Sequence, residues 1–284
     1  MSLLAAHIND AGISVLSAER LLYREPGFAL LEDDELATGL KAFENARIKP
    51  RRIQNRFWSS LTTDALPDRR FQHLSAADLA SRQLEQIWQV VASSGDRLVV
   101  AVPAYMKGEN LGLFLGIAHE LDVPVVGLVD AAVAATRREY AGAVPVHVDL
   151  SLHATTLSRL RQNGQVQLDR SEVIESGGML SLYDAWIRII SDAFVKQSRF
   201  DPLHTAETEQ LLLDRLGGWL TAAAANDTVT LDIEYRGIAH SAGLESLDLI
   251  SAAAPVYQRI ASQLRAIYRA ARSLNCIAGV SSAR

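Results

Sequence analysis

Two spacings of apolar residues divide this chain into strands and helices. Short β-branched runs read as buried strands, and apolar residues three and four apart read as one face of a helix. Leu98 to Pro103, LVVAVP, is such a strand run. Gly108, Glu109 and Asn110 then open a helical stripe of Leu111, Phe114, Leu115, Ala118 and Leu121. Asp122 and Pro124 end it, and Val125 to Val129 is a second strand run. Strand, crossover helix and strand predict a parallel βαβ unit and therefore an α/β fold. Upstream, Leu3 to Ile8, Ile13 to Leu16, Leu21 to Tyr23 and Phe28 to Leu31 predict a β-meander. Its turns fall at Asp10-Ala11-Gly12 and Glu25-Pro26-Gly27. Ser75 and Asp78 have capping-box spacing ahead of Leu79, Leu84, Ile87 and Val91, which predicts a helix ending at Ser93-Ser94-Gly95.

Past a break at Ala141 to Pro145 the same two spacings return. Ser176-Gly177-Gly178 precedes a helix over Leu180 to Val195. A second helix is predicted over Thr205 to Ala225. Thr228 to Tyr235 alternates cleanly and turns at Arg236-Gly237 into Ile238 to Ser241. A long helix follows from Leu244 to about Ser273. The break predicts two lobes, residues 1–143 and 144–284, the second holding a small subdomain over about 180–250.

Composition narrows the functional classes. At 284 residues and 49% hydrophobic, the chain has enough apolar residues for a large core. A net charge of −5 without a dense basic run argues against a nucleic-acid or membrane-surface partner. One cysteine, Cys276, precludes an internal disulfide and suits a reducing cytoplasm. The start, MSLLAAHINDAG, has neither a basic n-region nor a long apolar stretch, so no signal peptide is expected.

Several of these segments resemble the nucleotide-binding domain of Hsp70-type chaperones, within the actin-like ATPase superfamily. Val99 to Tyr105 is similar to that family's V-x-x-V-P-A-Y segment, and Val126 to Ala135 to its G-L-x-V and Ala-rich helix start. The order of the strand, hairpin and long helix from Thr228 onward also fits. The resemblance implies an α/β, actin/Hsp70-like fold of two lobes, each a mixed sheet flanked by helices. Relative to that family the chain is C-terminally short.

The resemblance also nominates site residues. The first phosphate loop of the family, Asp-x-Gly-Thr-Thr, is matched by Asp10 and Gly12, with Ile13 and Ser14 in place of the threonines; the residues alone read as a plain hairpin turn. The phosphate-reaching lysine has no counterpart in register. Arg56 is the nearest cation, or belongs to a solvated basic loop anchored by Phe57 and Trp58. Where the family places the glutamate that positions water, Asp130 stands, to act through a water or to cap the next helix. Val146 to Leu160 resembles the family's second phosphate loop, set between two strands of an antiparallel hairpin: Asp149 matches the aspartate, but Ser151, Leu152 and His153 occupy the glycine positions and Ala154 the threonine. Residues with a Cβ disfavour the close, positive-φ cradle that glycines give a phosphate. Ser151, Thr155 and a protonated His153 are the remaining phosphate ligands, or His153 fills the vacated space. Gly177 and Gly178 match the Gly-Gly turn that approaches the nucleotide. Glu209 matches an adenine-clasping glutamate while Gln210 and Leu212 replace its basic companions, and Asn275 to Arg284 resembles the family's adenosine motif, an apolar strand followed by a glycine turn, here at Gly279.

Two aspartates thus survive, and most glycines, threonines and the lysine do not. The expected function is a pseudo-ATPase or weak ATP binder acting as a chaperone-like or protein-interaction module, with a protein partner or client. ATP or ADP with Mg²⁺ would be its cofactor, Asp10 and Asp149 reaching the metal through water. The alternative is an active ATP hydrolase with a rebuilt site, in which Asp10, Asp130 and Asp149 are catalytic. A sugar or acetate kinase on the same fold is a third reading.

Overall fold

The computed structural model describes residues 2–32 and 35–281, with side chains as far as residue 268. It is a mixed α/β protein. Four short strands open the chain: β1 (Leu3–His7), β2 (Ile13–Leu16), β3 (Leu21–Glu25) and β4 (Ala29–Leu31). Next come β5 (Leu36–Thr38), a single helical turn α1 (Leu40–Phe43) and β6 (Ile53–Gln54). The βαβ unit follows α2 (Ala76–Val91) as β7 (Arg97–Val102), α3 (Glu109–Glu120) and β8 (Val125–Asp130), and leads into α4 (Ala131–Ala135).

Five of these strands build a sheet of order β3-β2-β1-β7-β8, and the other three a small sheet of order β5-β4-β6. β1 runs antiparallel to β2 and parallel to β7, with His7 opposite Ser14 on one side and Ala101 on the other. Leu4, Ala6, Ile8, Val100 and Val102 all lie in one core with Leu79, Leu84 and Ile87 of α2 and Phe114 and Ile117 of α3. Period-2 spacing in the strands and 3.6 spacing in the helices meet at that core. The capping box forms as predicted: Ser75 accepts from the Asp78 N–H, and Asp78 accepts from the Ser75 N–H.

The second half begins with three antiparallel strands, β9 (Val146–Leu150), β10 (Ala154–Gln162) and β11 (Val166–Glu175), in the order β11-β10-β9. β11 has no apolar run of its own, which is why its sequence is silent. It is held by pairing along β10 and by Asp169, which receives the buried guanidinium of Arg159 at 2.6 Å. Two helices follow, α5 (Met179–Ser198) and α6 (Ala206–Ala225), then the hairpin β12 (Thr228–Tyr235) and β13 (Ile238–Glu245). Arg236 and Gly237 both have positive φ, 52° and 76°, as a two-residue type I′ turn requires. α7 (Ser246–Ser281) closes the chain. It runs on through Asn275 to Gly279, where the resemblance suggested a strand and a glycine turn. The sequence from Arg269 to Ala278 holds no proline or glycine to break a helix, so the backbone hydrogen bonds continue.

A second core joins α5, α6, β12, β13 and α7 around Trp186, Phe194, Leu212, Leu216 and Leu231. A third, smaller cluster joins the two halves. It packs Phe28, Leu30, Ala37 and Ala42 of the first half against Leu152 of the second. Among the described residues no helix is long and apolar enough to cross a membrane.

Candidate functional site: two facing hairpin turns

The site forms where the turn after β1 meets the turn after β9. Asn9 shapes the first turn: its side-chain oxygen accepts the Ala11 N–H at 2.9 Å, and its carbonyl accepts the Gly12 N–H at 2.8 Å. This Asx-turn leaves Asp10 at its apex, 1% exposed. Gly27 backs it closely. A Cβ there would lie 3.0 Å from the Asp10 Cβ and 2.9 Å from the Trp58 ring, so only glycine lets the β3–β4 turn pass.

The second turn is Ser151-Leu152-His153, between β9 and β10. It docks on the first at two points. The Asn9 side-chain amide donates to Asp149 at 2.6 Å and to the Leu150 carbonyl at 3.2 Å. Asp10 accepts the Leu152 N–H at 2.7 Å. The Leu152 side chain, 1% exposed, enters the small core beside Phe28, Leu30, Ala37 and Ala42. His153 Nε2–H donates to Asn55, 3.2 Å from its carbonyl oxygen and 3.0 Å from its side-chain oxygen.

The electrostatics follow from burial. Burial pushes the Asp10 carboxyl up to about 6, and the nearby Asp149 charge adds to this; the Leu152 and Ala11 N–H groups and Arg56 oppose it. Burial also raises Tyr105, reinforced by Asp10 and Asp149. His7 is lowered by burial, offset by Asp149 and deepened by His147. Three buried polar atoms have no partner among the described residues: Asp10 Oδ2, Tyr105 OH and His7 Nε2. All three belong to this one cluster, where satisfied groups are the rule. Among the described residues no three of His, Cys, Asp or Glu are grouped to hold a metal ion.

The other sequence candidates are committed elsewhere. Ser151 donates its hydroxyl to the Ala154 carbonyl at 2.8 Å, and the fully buried Thr155 donates to the Gly177 carbonyl at 2.7 Å. Burial and Arg56 lower His153, so a protonated His153 is disfavoured here. Gly178 does approach something closely, but it is the second turn: a Cβ would lie 2.5 Å from Leu152, His153 and Ala154 backbone atoms. Gly177 sits beside it under Ile174. Asp130 caps α4, accepting the Ala132 and Val133 N–H groups at 2.8 and 3.4 Å. Ser14 lies on β2, paired with His7 and Arg24. Gly12 lies under the Arg24 guanidinium, 3.2 Å from where its Cβ would be. Arg56 is exposed near Asp10. Gly279 lies in α7.

Glu209 belongs to a neighbouring cavity of about 470 Å³ between the halves. Phe28, Phe43 and Tyr183 line it, and Arg47 crosses it to Glu209 and Asp184, at 3.1 Å each. Gln210 fastens the same junction, accepting the Arg47 N–H at 2.8 Å and donating to the Phe43 carbonyl at 3.1 Å. Leu212 is buried in the second core. Sequence reasoning missed Asn9, Tyr105 and Arg47. Asn9 carried a readable signal, an Asx residue just ahead of a turn glycine; Arg47 sits in a segment without periodicity and carried none. The chain matches no protein-family model and no curated protein sequence at a significant level.

Proposed function

We propose that this chain is a divergent member of the actin/Hsp70-like ATPase superfamily whose phosphate site is sealed, and that it works through protein contacts as a pseudo-ATPase or weak ATP binder. The sheet order β3-β2-β1-β7-β8 and its repetition in part by β11-β10-β9 support a two-lobe fold of that kind. So does the meeting of two hairpin turns, one from each half, the first carrying Asp10 and the second following Asp149 at the end of β9.

The observation that carries the pseudo-ATPase reading is Leu152. Its side chain is buried in the small core of Phe28, Leu30, Ala37 and Ala42, with Ala11 of the first turn packed against it, and its N–H is taken by Asp10. A phosphate cradle needs free N–H groups and no Cβ in the way. The residues present therefore do not fit Mg²⁺-nucleotide as the family would hold it. Phosphoryl transfer rests on positioning and charge neutralisation, and both are lost when the cradle is filled. A client or partner protein is the remaining use of such a scaffold.

One observation favours the alternative, an active ATPase with a rebuilt site. Asp10 Oδ2 and Tyr105 OH are unpartnered among the described residues, and the exposed Arg24 and Arg56 flank the first turn. A thermal-shift titration separates the two readings. Mg²⁺-ATP at about 5 mM is expected to raise Tm by less than about 1 °C, since binding shifts stability only through RT ln(1 + [L]/Kd). A clear magnesium-dependent rise that Asp149→Ala abolishes overturns the pseudo-ATPase reading.

A further inference from the structure

α7 carries two apolar seams, and the first half of the helix uses only one of them on its own chain. Leu249, Ala253 and Val256 are buried in the second core, with Ile260 packed beside them and Ile267 buried further along. The other seam is Leu247, Ile250, Ala254, Tyr257, Ala261 and Leu264. Leu247, Ile250 and Tyr257 on it are 65%, 59% and 46% exposed, and the other three are half-buried. The steps along it are three, four, three, four and three residues. That is an a/d heptad seam, the spacing at which one helix packs lengthwise on another. A helix that only had to cover its own domain needs no second seam.

The side chains on the seam say what fits it. In an antiparallel pair each a residue faces a d residue of the other helix. If the two-fold axis passes between Pro255 and Val256, Leu247 faces Leu264, Ile250 faces Ala261, and Ala254 faces Tyr257, each from the opposite copy. Every alanine then receives a large side chain, which close packing requires. The charges agree. Exposed Arg265 near one end of the seam is brought to the end where Glu245 and Asp248 lie. Leu247 and Ile250 also border an open groove of about 670 Å³ beside Ala223 and Thr228, into which the far end of the second helix would run. Pro255, inside the helix, lies at the axis, so any bend it introduces is shared by both copies.

We infer that α7 is a dimerisation helix whose partner is α7 of a second copy of this chain, packed antiparallel over residues 247–264. The seam is about 27 Å long, short for a standard interface, so a dissociation constant near 10 μM is expected. This proposal does not depend on the nucleotide reading.

Sedimentation velocity of the full chain tests it. A dimer at about 100 μM that dissociates at about 1 μM is expected. Tyr257→Glu should raise the dissociation constant at least about 100-fold while leaving the melting curve of the monomer unchanged. Orientation is read by cross-linking in a Cys276→Ser background. Leu247→Cys mixed with Leu264→Cys should form a disulfide-linked pair, and neither alone should. A wild-type monomer at about 100 μM, a Tyr257→Glu chain that dimerises like wild type, self-linking of either cysteine variant, or no linking at all overturns the proposal.

Discussion

Asp10 is a carboxylate held where water does not reach, with one oxygen on the Leu152 N–H and the other unpartnered among the described residues. Its pKa is raised in the folded state, so the folded chain binds the extra proton. Its contribution to stability is therefore complete below the ordinary 3.8 and lost as pH rises through about 6. That interval corresponds to about 3 kcal/mol at 1.4 kcal/mol per pH unit. Asp10→Asn keeps the acceptor for Leu152 and removes the charge. Urea unfolding should find it more stable than wild type by about 2–3 kcal/mol at pH 8, with the gap closing toward pH 4. His7 and His153 are lowered instead; their contributions are present above 6.5 and lost as pH falls, so the comparison between the two chains isolates Asp10. Asn9 acts through geometry. Asn9→Ala frees one Asp149 oxygen and undoes the Asx-turn, and should cost about 1–3 kcal/mol, read as a lower urea midpoint with an unchanged m-value.

At the scale of elements, the hairpin turn between β9 and β10 works as a plug. It is pressed from below by Gly178, at the start of α5, and fastened from above by Asp10. Gly178→Ala has no room, because the 2.5 Å contacts are to backbone. It should destabilise by about 2–4 kcal/mol, and a crystal structure should find the 151–154 turn displaced. Leu152→Ala empties part of the small core and should cost about 2–5 kcal/mol, depending on how far Phe28 and Leu30 relax into the gap. The sequence reading placed most of these elements within a few residues, because each had a periodic stripe or a capping signal. β11 and the small sheet of β4, β5 and β6 were not legible beyond the Phe28 to Leu31 run. Their strands are short or polar, and pairing with neighbours decides them.

At the scale of the molecule, the groups that join the halves are far apart in sequence and include Asn9 to Asp149, Asp10 to Leu152, His153 to Asn55, Arg47 to Asp184 and Glu209, Gln210 to Phe43, and the small core around Leu152. Loss of the plug should therefore be felt on both sides of the junction and nowhere else. Hydrogen exchange of Leu152→Ala should rise together in residues 9–12 and 177–180 while the β12–β13 hairpin keeps its protection; uniform loss of protection would contradict a local joint. The sequence by itself determined the α/β class, the βαβ unit, the capped helix α2 and the turn that carries Asp10, because spacing and turn chemistry act over a few residues. Ser151, Leu152 and His153 carried no such local signal. Only the tertiary structure decided where their side chains go. A Cβ in a loop can point to solvent or into a cleft, and local pattern does not distinguish the two. Here the cleft lies between segments about 140 residues apart, so the burial of Leu152, the hold of Asp10 on its N–H and the resulting charge state exist only once the two turns have met.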